Sequence, residues 1–309
     1  MANFLWELIR AFRPRQWIKN CAVFAPLIFS GFLFDPETQI KSLTAFFLFC
    51  GFSSATYLLN DVFDIERDKL HPFKKKRPIA SGAIPPFFAV LLAFLIILFL
   101  LPLAFGLSPA FFIAVVLYLI LQLLYSSYLK QVILLDVIVI AAGFVLRVYS
   151  GVWAIDAHLN VWFLLSVTSF ALFLAIGKRR SELTLMQAQA SRHRETLLHY
   201  PENLLDILTG MFANSTWLAY ALFAFLQPPI IAPKLISLFG ELDLPIVEAK
   251  YFMATVPIVI YGVMRYLYII YEKREGESPE RVLITDIPLL SSVILWLVLT
   301  IGIIYFLAA

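Results

Sequence analysis

Long apolar runs, each about the length of a membrane-spanning helix, alternate along the chain with short polar links. A spanning helix needs ~20 mostly apolar residues. Nine runs approach that length, near 17–34, 40–60, 86–105, 108–128, 132–154, 160–177, 209–227, 252–271 and 287–307. Only a short turn from Gly106 to Pro109 separates the third and fourth, and only the link from Tyr128 to Gln131 separates the fourth and fifth, so both pairs are expected as antiparallel hairpins. The polar links alternate in character. With the N-terminus in the cytoplasm, the inner segments are 1–16, 61–85, 128–131, 178–208 and 272–286. Of 24 Lys and Arg, Lys41, Lys234 and Lys250 then fall outside and Arg147 within a span, leaving 20 at or near the inner ends, as the positive-inside rule requires. The pattern predicts an all-α membrane protein, a bundle of about nine transmembrane helices with a cytoplasmic N-terminus, forming one transmembrane domain over 1–309.

Composition supports that class. The chain is 61% hydrophobic and 15% charged, with a mean hydropathy of +0.86. No water-soluble domain of 309 residues needs that much apolar surface. The net charge of +3 is modest, and nothing calls for a nucleic-acid partner. Cys21 and Cys50 both fall in apolar runs and read as packed small residues rather than a disulfide or metal pair. The first 17 residues carry aromatics and three arginines without a small-residue cleavage site, unlike a secretory leader.

The most informative link runs from Tyr57 to Gly82, YLLNDVFDIERDKLHPFKKKRPIASG. It holds the acids Asp61, Asp64, Glu66 and Asp68, and the cations Arg67, Lys69, Lys74, Lys75, Lys76 and Arg77. If the preceding helix continues through Asp68, then Asn60, Asp64 and Asp68 share one face with Asp61 on its shoulder. A one-sided row of oxygen ligands at a membrane surface suits Mg²⁺, a hard cation that takes a carboxylate or two and fills its other positions with waters and substrate phosphates. The cations just beyond can hold those phosphates. A charged loop without ligands is the plain alternative; the spacing of the acids and the order of the signs favour a phosphate–Mg²⁺ site.

Other polar residues are harder to place. Tyr125 and Lys130 lie at the inner end of the fourth span, and Asp136 lies about one turn into the fifth. Arg147 is 11 residues further, ~16 Å deeper at the helical rise. A charge at the bilayer centre costs at least ~2.5 kcal/mol, so Arg147 must face protein or water. A structural ion pair and an anion site in a cavity both remain open for it, whereas Lys130 is better placed to meet a phosphate. Beyond Gly177, the run Lys178, Arg179, Arg180 serves either as membrane anchors or as phosphate contacts, and Glu182 is spaced to pair with Lys178 on a helix. The segment from Ser181 to Asp206, with Leu183, Leu185, Met186, Leu197 and Leu198, reads as an amphipathic surface helix or a lid. Near the start, RPRQWIKN sets Arg13, Arg15 and Lys19 at the mouth of the first span. Anchoring explains Arg13 and Trp17; Lys19, further in, is expected to contact an anion. His71, His158, His193 and His199 are scattered and suggest no zinc site.

These residues resemble the UbiA superfamily of intramembrane prenyltransferases, whose members have nine helices and two inner-side loops bearing metal–diphosphate motifs. The first motif, NDxxDxxxD, is present as Asn60-Asp61, Asp64 and Asp68. The runs RPRQWIKN, NDVFDIERDKLHPFKKKRPIASG, YSSYLK, GFVLRVYSG and KRRSEL, between residues 13 and 183, look closer to one branch, the decaprenyl-phosphate phosphoribosyltransferases and their bacterial relatives. Prenyl-diphosphate members carry a second aspartate-rich motif where this chain has Lys178, Arg179, Arg180 and Glu182, so a second acidic metal site is not expected.

The resemblance implies Mg²⁺-dependent transfer of 5-phosphoribose from phosphoribosyl diphosphate (PRPP) to a polyprenyl phosphate, at the cytoplasmic face of a bacterial plasma membrane. On this reading Asn60, Asp61, Asp64 and Asp68 hold the metal, and the three aspartates are the catalytic set. Lys74, Arg77, Lys130 and Lys178 meet the donor, and Lys19 and Arg147 the lipid phosphate. Tyr57, Tyr125, Arg179 and Glu182 complete the substrate contacts, within loops near 57–84 and 178–206. One rival is a prenyl-diphosphate transferase with an aromatic or other acceptor, which expects an acidic second loop. Another is a non-catalytic lipid-binding or transport protein, which expects charged or broken helices at the midplane in matched halves. The apolar exterior is compatible with a homo-oligomer but displays no interface.

Overall fold

The computed structural model describes residues 2–70, 74–189, 200–227, 250–273, 276 and 278–307. Among them all regular structure is helical, the form in which a lone segment satisfies its own backbone N–H and C=O groups inside lipid. Eight of these helices are long and apolar enough to cross a bilayer by length and composition. The chain divides into two compact units, Met1–His158 with Gln189–Tyr200, and Leu159–Ala188 with Pro201–Ala309.

The first unit opens with α1 (Ala2–Phe12), a 3-10 segment (Pro14–Phe24) and the short α2 (Ala25–Phe29). The run read as the first span, 17–34, is therefore not one long α-helix. Its first part continues the 3-10 segment that begins at Pro14, Pro26 falls inside it, and Lys19 and Asn20 lower its hydropathy. Length is recovered another way. Eleven residues at the 3-10 rise of ~2.0 Å plus five α-helical ones reach about 30 Å, close to the thickness of a bilayer's hydrocarbon core. Cys21 on this segment is exposed, not packed as expected, while Cys50 is buried.

Next come α3 (Pro36–Phe63), α4 (Ile65–Leu70), α5 (Pro86–Leu107), α6 (Pro109–Ser127) and α7 (Leu135–Ile155), with 3-10 turns at Lys74–Lys76 and Leu129–Gln131. Local chemistry sets several of their ends. Asp35 accepts from Thr38 N at 2.9 Å and Pro36 occupies the first turn of α3. Ser108 is the sole link between α5 and α6, where Pro109 forbids continuation and the Ser108 hydroxyl caps Phe111 N. Helix α3 is the most enclosed, with 61% of its most apolar stretch buried against 17% for α5. Its Phe49 and Phe52 pack with Val23, Phe111 and Tyr118. Across α7, Gly151 meets the 3-10 segment so closely that a Cβ there would lie 2.1 Å from Val23 O.

The second unit comprises α8 (Val161–Gln189), α9 (Glu202–Leu226), α10 (Val256–Tyr268), α11 (Pro279–Thr285) and α12 (Ile287–Gly302). Its core joins Phe173, Ala213, Tyr266, Ile269, Val282 and Leu289. Helix α8 outruns its expected end at 177, so Lys178 to Glu182 stand on the helix and not in a loop. Residues 190–199, in the segment read as an amphipathic helix or lid, and 228–249 lie outside the described residues. Asp286 caps α12 at Leu289 N (3.0 Å) and pairs with Arg265 (2.9 Å) and Lys273 (2.8 Å). The Arg265 hydrogen bonds, then Lys273, hold the Asp286 carboxyl well below the usual carboxylate range, against the opposing effect of burial.

Gly151→Ala should lower Tm and the yield of monodisperse protein, by roughly 1–3 kcal/mol of overpacking, whereas Gly106→Ala, with nothing within 4 Å, should leave both unchanged. Asp286→Asn should lower Tm by a few degrees at pH 7. Because the folded pKa is depressed, the stabilisation is complete above the unfolded value of about 3.9 and fades below it, so the gap between variant and parent should narrow as the pH falls past about 4. Thermal melts across pH check both; a pH-independent gap would remove the ion pairs as its cause.

Candidate active site

Three of the four acids of the Tyr57–Gly82 stretch, Asp61, Asp64 and Asp68, turn inward, while Glu66 stays exposed beside Lys69. Helix α3 ends at Phe63, and Asp64 sits in a bend with φ −99° and ψ 6° before α4 begins. Helical hydrogen bonding carries through the bend, from Asp64 N to Asn60 O (3.0 Å) and from Asp68 N to Asp64 O (2.8 Å). Asp61 and Asp68 are only 2% and 4% exposed. A buried carboxylate persists only with a partner, and each has one. Arg13 and Arg77 (3.1 Å) both donate to Asp61 Oδ1, and Arg77 also reaches Asp68 Oδ2 at 2.5 Å. Lys130 Nζ donates to Asp64 Oδ1 at 2.6 Å, and Ser126 Oγ to Asn60 Oδ1 at 3.0 Å.

The expected single row thus becomes two pairs. Asn60 and Asp64, four residues apart, face the end of α6, whereas Asp61 and Asp68, seven apart, share Arg77. Arg13 is the main residue that sequence reasoning undervalued. It is a motif partner, its guanidinium lying 5.1 Å from the centre of the Tyr57 ring, and Trp17 donates to Ser54 Oγ at 3.1 Å. The available signal was Arg13-Pro14 at a helix end, where a turn aims the side chain back along α3. Arg13, Arg77 and Asp61 line a cavity of about 170 Å³ together with Arg10, Lys76 and Pro78.

Lys130 is held by a second buried cluster. It is 6% exposed in the 3-10 turn after α6. Four residues on, Leu134 has a left-handed φ of 67°, a conformation that is strained for a residue with a Cβ. Tyr200 Oη accepts from Leu134 N at 2.6 Å and donates to the buried Asp136 Oδ1 at 2.7 Å, tying that turn to the start of α7.

The remaining candidates lie elsewhere. Arg147 is buried and donates to three neutral acceptors, Asn20 Oδ1 (2.8 Å), Gly143 O (2.6 Å) and Tyr118 Oη (3.0 Å), beside the rings of Phe49 and Tyr118. Lys19 donates to Gln16 Oε1 at 2.5 Å, and Lys74 and Tyr125 are half-buried. Lys178, Arg179 and Glu182 belong to the second unit. There Glu182 pairs with Lys178 through Oε1 at 4.0 Å, as its spacing predicts, and more closely with the buried Arg179 through Oε2 at 2.5 Å. Arg180 bridges Glu202 and Asp206, each at 2.6 Å.

Three carboxylates and an amide oxygen between Asn60 and Asp68 form an all-oxygen donor set, which in composition fits Mg²⁺. Among the described residues no three His, Cys, Asp or Glu side chains stand grouped as ligands, since each aspartate of the set faces an Arg or Lys. The site is therefore an acid–cation lattice with balanced charge, able to meet a metal through its acids and phosphates through its cations.

Comparison with known proteins agrees with this chemistry. The chain is 33% identical to the decaprenyl-phosphate phosphoribosyltransferase of Mycolicibacterium smegmatis, over 92% of this chain and 88% of that one. It is 36% identical to the decaprenyl-phosphate phosphoribosyltransferase of Mycobacterium tuberculosis, over 72% and 76%. Its fold is similar to that of a UbiA homolog from Archaeoglobus fulgidus bound to GPP and Mg²⁺, with a TM-score of 0.67 and 20% identity, covering 96% of this chain and 99% of that one. The UbiA prenyltransferase family itself matches residues 23–284, a span that includes the whole NDxxDxxxD segment and its Lys130 and Arg77 partners. With its helices, its motif and most of its length accounted for in this way, the chain is an integral membrane protein that belongs to the UbiA prenyltransferase family.

Proposed function

We propose that the protein transfers 5-phosphoribose from PRPP to a polyprenyl phosphate and releases diphosphate. The observation that carries this reading is the lattice at the end of α3, where Asp61, Asp64 and Asp68 each lie against a cation suited to phosphate. The two relatives named decaprenyl-phosphate phosphoribosyltransferase support the donor and acceptor classes. The positive-inside distribution supports a site on the cytoplasmic face of a bacterial plasma membrane, within one transmembrane domain.

The chemistry asks for placement and charge stabilisation. A lipid phosphate oxygen, already anionic, attacks the anomeric carbon while the bond from that carbon to the diphosphate oxygen breaks; in-line attack inverts the centre. No proton need leave the nucleophile, so no general base is required. Asn60, Asp61, Asp64 and Asp68 would hold Mg²⁺, which when bound neutralises charge developing on the departing diphosphate. Substrate entry is an exchange of partners. Lys130 and Arg77 hold Asp64 and Asp68 and are the cations that would turn to phosphate oxygens, leaving those carboxylates as the groups that would hold the metal. Each charge is compensated before and after, which keeps the cost of opening the buried pairs low. Lys74 is a further donor contact in this proposal, and Lys19 serves the lipid phosphate.

Protein in nanodiscs should convert labelled PRPP and polyprenyl phosphate to a phosphoribosyl lipid, and EDTA should stop it with activity restored by Mg²⁺. Consumption of a prenyl diphosphate with no phosphoribosyl product would reject the assignment. Asp64→Asn should cut kcat by about 10²-fold or more, the scale of losing a preorganised charge contact, with Tm close to the parent's. Lys130→Gln should lower kcat/KM for PRPP by about 10²-fold; near-parental kinetics would take Lys130 out of the phosphate site.

A further inference from the structure

The cavity beside the lattice has more positive charge than the acids nearby require. Arg10, Arg13, Lys76 and Arg77 line it against the single lining carboxylate of Asp61. Glu7 pairs with Arg10 and Asp68 with Arg77, which still leaves one cation in excess. That cation is identifiable: Lys76 Nζ has no hydrogen bond or ion pair among the described residues. The volume of about 170 Å³ is many times the roughly 10–15 Å³ that one water needs, enough for a phosphoryl group and its hydration.

Its walls are held in place at some cost. Arg13 has φ 52° and ψ 60°, a left-handed conformation uncommon for any residue with a Cβ and further disfavoured before Pro14. Such strain, of order 1–3 kcal/mol, persists only where surrounding contacts impose it. Here the turn swings the Arg13 guanidinium from the end of α1 onto Asp61 and Tyr57. Arg10 Nη2 donates to Lys76 O at 3.2 Å and ties α1 to the turn after α4 on one side of the cavity.

The position of α1 says where a ligand enters. Leu8, Ala11 and Phe12 pack into the core, while Leu5, Trp6 and Ile9 are exposed on another face, at 61%, 61% and 44%. A helix apolar on its outer face with arginines at its end lies in the headgroup layer, and the cavity it roofs is at that level. Both a soluble phosphate and a lipid-borne one can reach it.

We propose that this cavity is a phosphomonoester subsite, built by Arg10, Arg13 and Lys76 beside the metal–diphosphate position. A prenyl diphosphate donor has no phosphomonoester to place there. The proposal rests on the preceding reading for the two sources of that group, the 5-phosphate of the donor or the phosphate of the lipid acceptor.

The test uses the full chain in nanodiscs with Lys76→Gln, which removes no contact, and Arg10→Gln/Lys76→Gln. KM is measured for both substrates, and direct binding for radiolabelled ribose 5-phosphate and polyprenyl phosphate. The double variant should raise one KM by about 10–100-fold with kcat little changed, weaken binding of the matching phosphomonoester equally, and be partly rescued by Lys76→Arg in place of Gln. Loss of ribose 5-phosphate binding assigns the subsite to the donor, and loss of lipid binding assigns it to the acceptor. If the double variant melts early, Lys76→Gln alone is decisive, with an expected loss of about threefold or more. Unchanged KM and binding for both phosphates overturns the proposal. Should the parent show no phosphoribosyl transfer, the functional reading fails, and the subsite stands or falls on whether the parent binds either phosphomonoester and the variant loses it.

Discussion

Charge compensation at the end of α3 is the constraint on which the first unit depends. Three aspartates lie inside a chain that is mostly hydrocarbon, and each ionised group taken from water there costs several kcal/mol unless a partner meets it. The partners come from far along the chain: Arg13 from the turn after α1, Arg77 from the loop after α4, Lys130 from the turn after α6. The helices can pack in one arrangement only if those three turns converge on α3. The same convergence produces the polar cavity.

Arg147 shows the opposite solution to the same problem. It keeps its charge deep in the unit with no carboxylate among its hydrogen-bond partners, relying on Asn20, Gly143 O, Tyr118 and two aromatic faces. Neutral dipoles and ring quadrupoles compensate a guanidinium well because its charge is delocalised and weakly hydrated. This cluster joins the 3-10 segment, α6 and α7, so it acts as a polar brace inside an apolar core. In the second unit Arg180 between Glu202 and Asp206, and Asp286 between Arg265 and Lys273, do the bracing with full ion pairs.

The division between acids and cations also suits an enzyme that binds a metal complex of a diphosphate. A site made of carboxylates alone repels the substrate until metal arrives, and one made of cations alone has nowhere to put the metal. Pairing them keeps both sets in place in the buried state and lets each find its substrate partner without leaving an uncompensated charge. On the proposed reading, the lattice serves stability and binding at once.

Much of this was legible in the residues. Apolar run length located the eight long helices, because bilayer thickness sets a minimum that composition must meet. The spacing of Asn60, Asp61, Asp64 and Asp68 marked the candidate site, because helical geometry places such residues on neighbouring faces. Other features could not be read that way. The 3-10 course of Pro14–Phe24 follows from backbone geometry that hydropathy does not register. That Glu182 lies closer to the buried Arg179 than to Lys178, both at helical spacings, follows from burial. That Arg13 meets Asp61 across 48 residues, and Lys130 meets Asp64 across 66, depends on which turns the packed helices bring together. Sequence alone determined the class of chemistry, since residue types and local periodicity are properties of a segment. Only the tertiary structure decided the partners, since the energy of a buried charge depends on neighbours that no single segment contains.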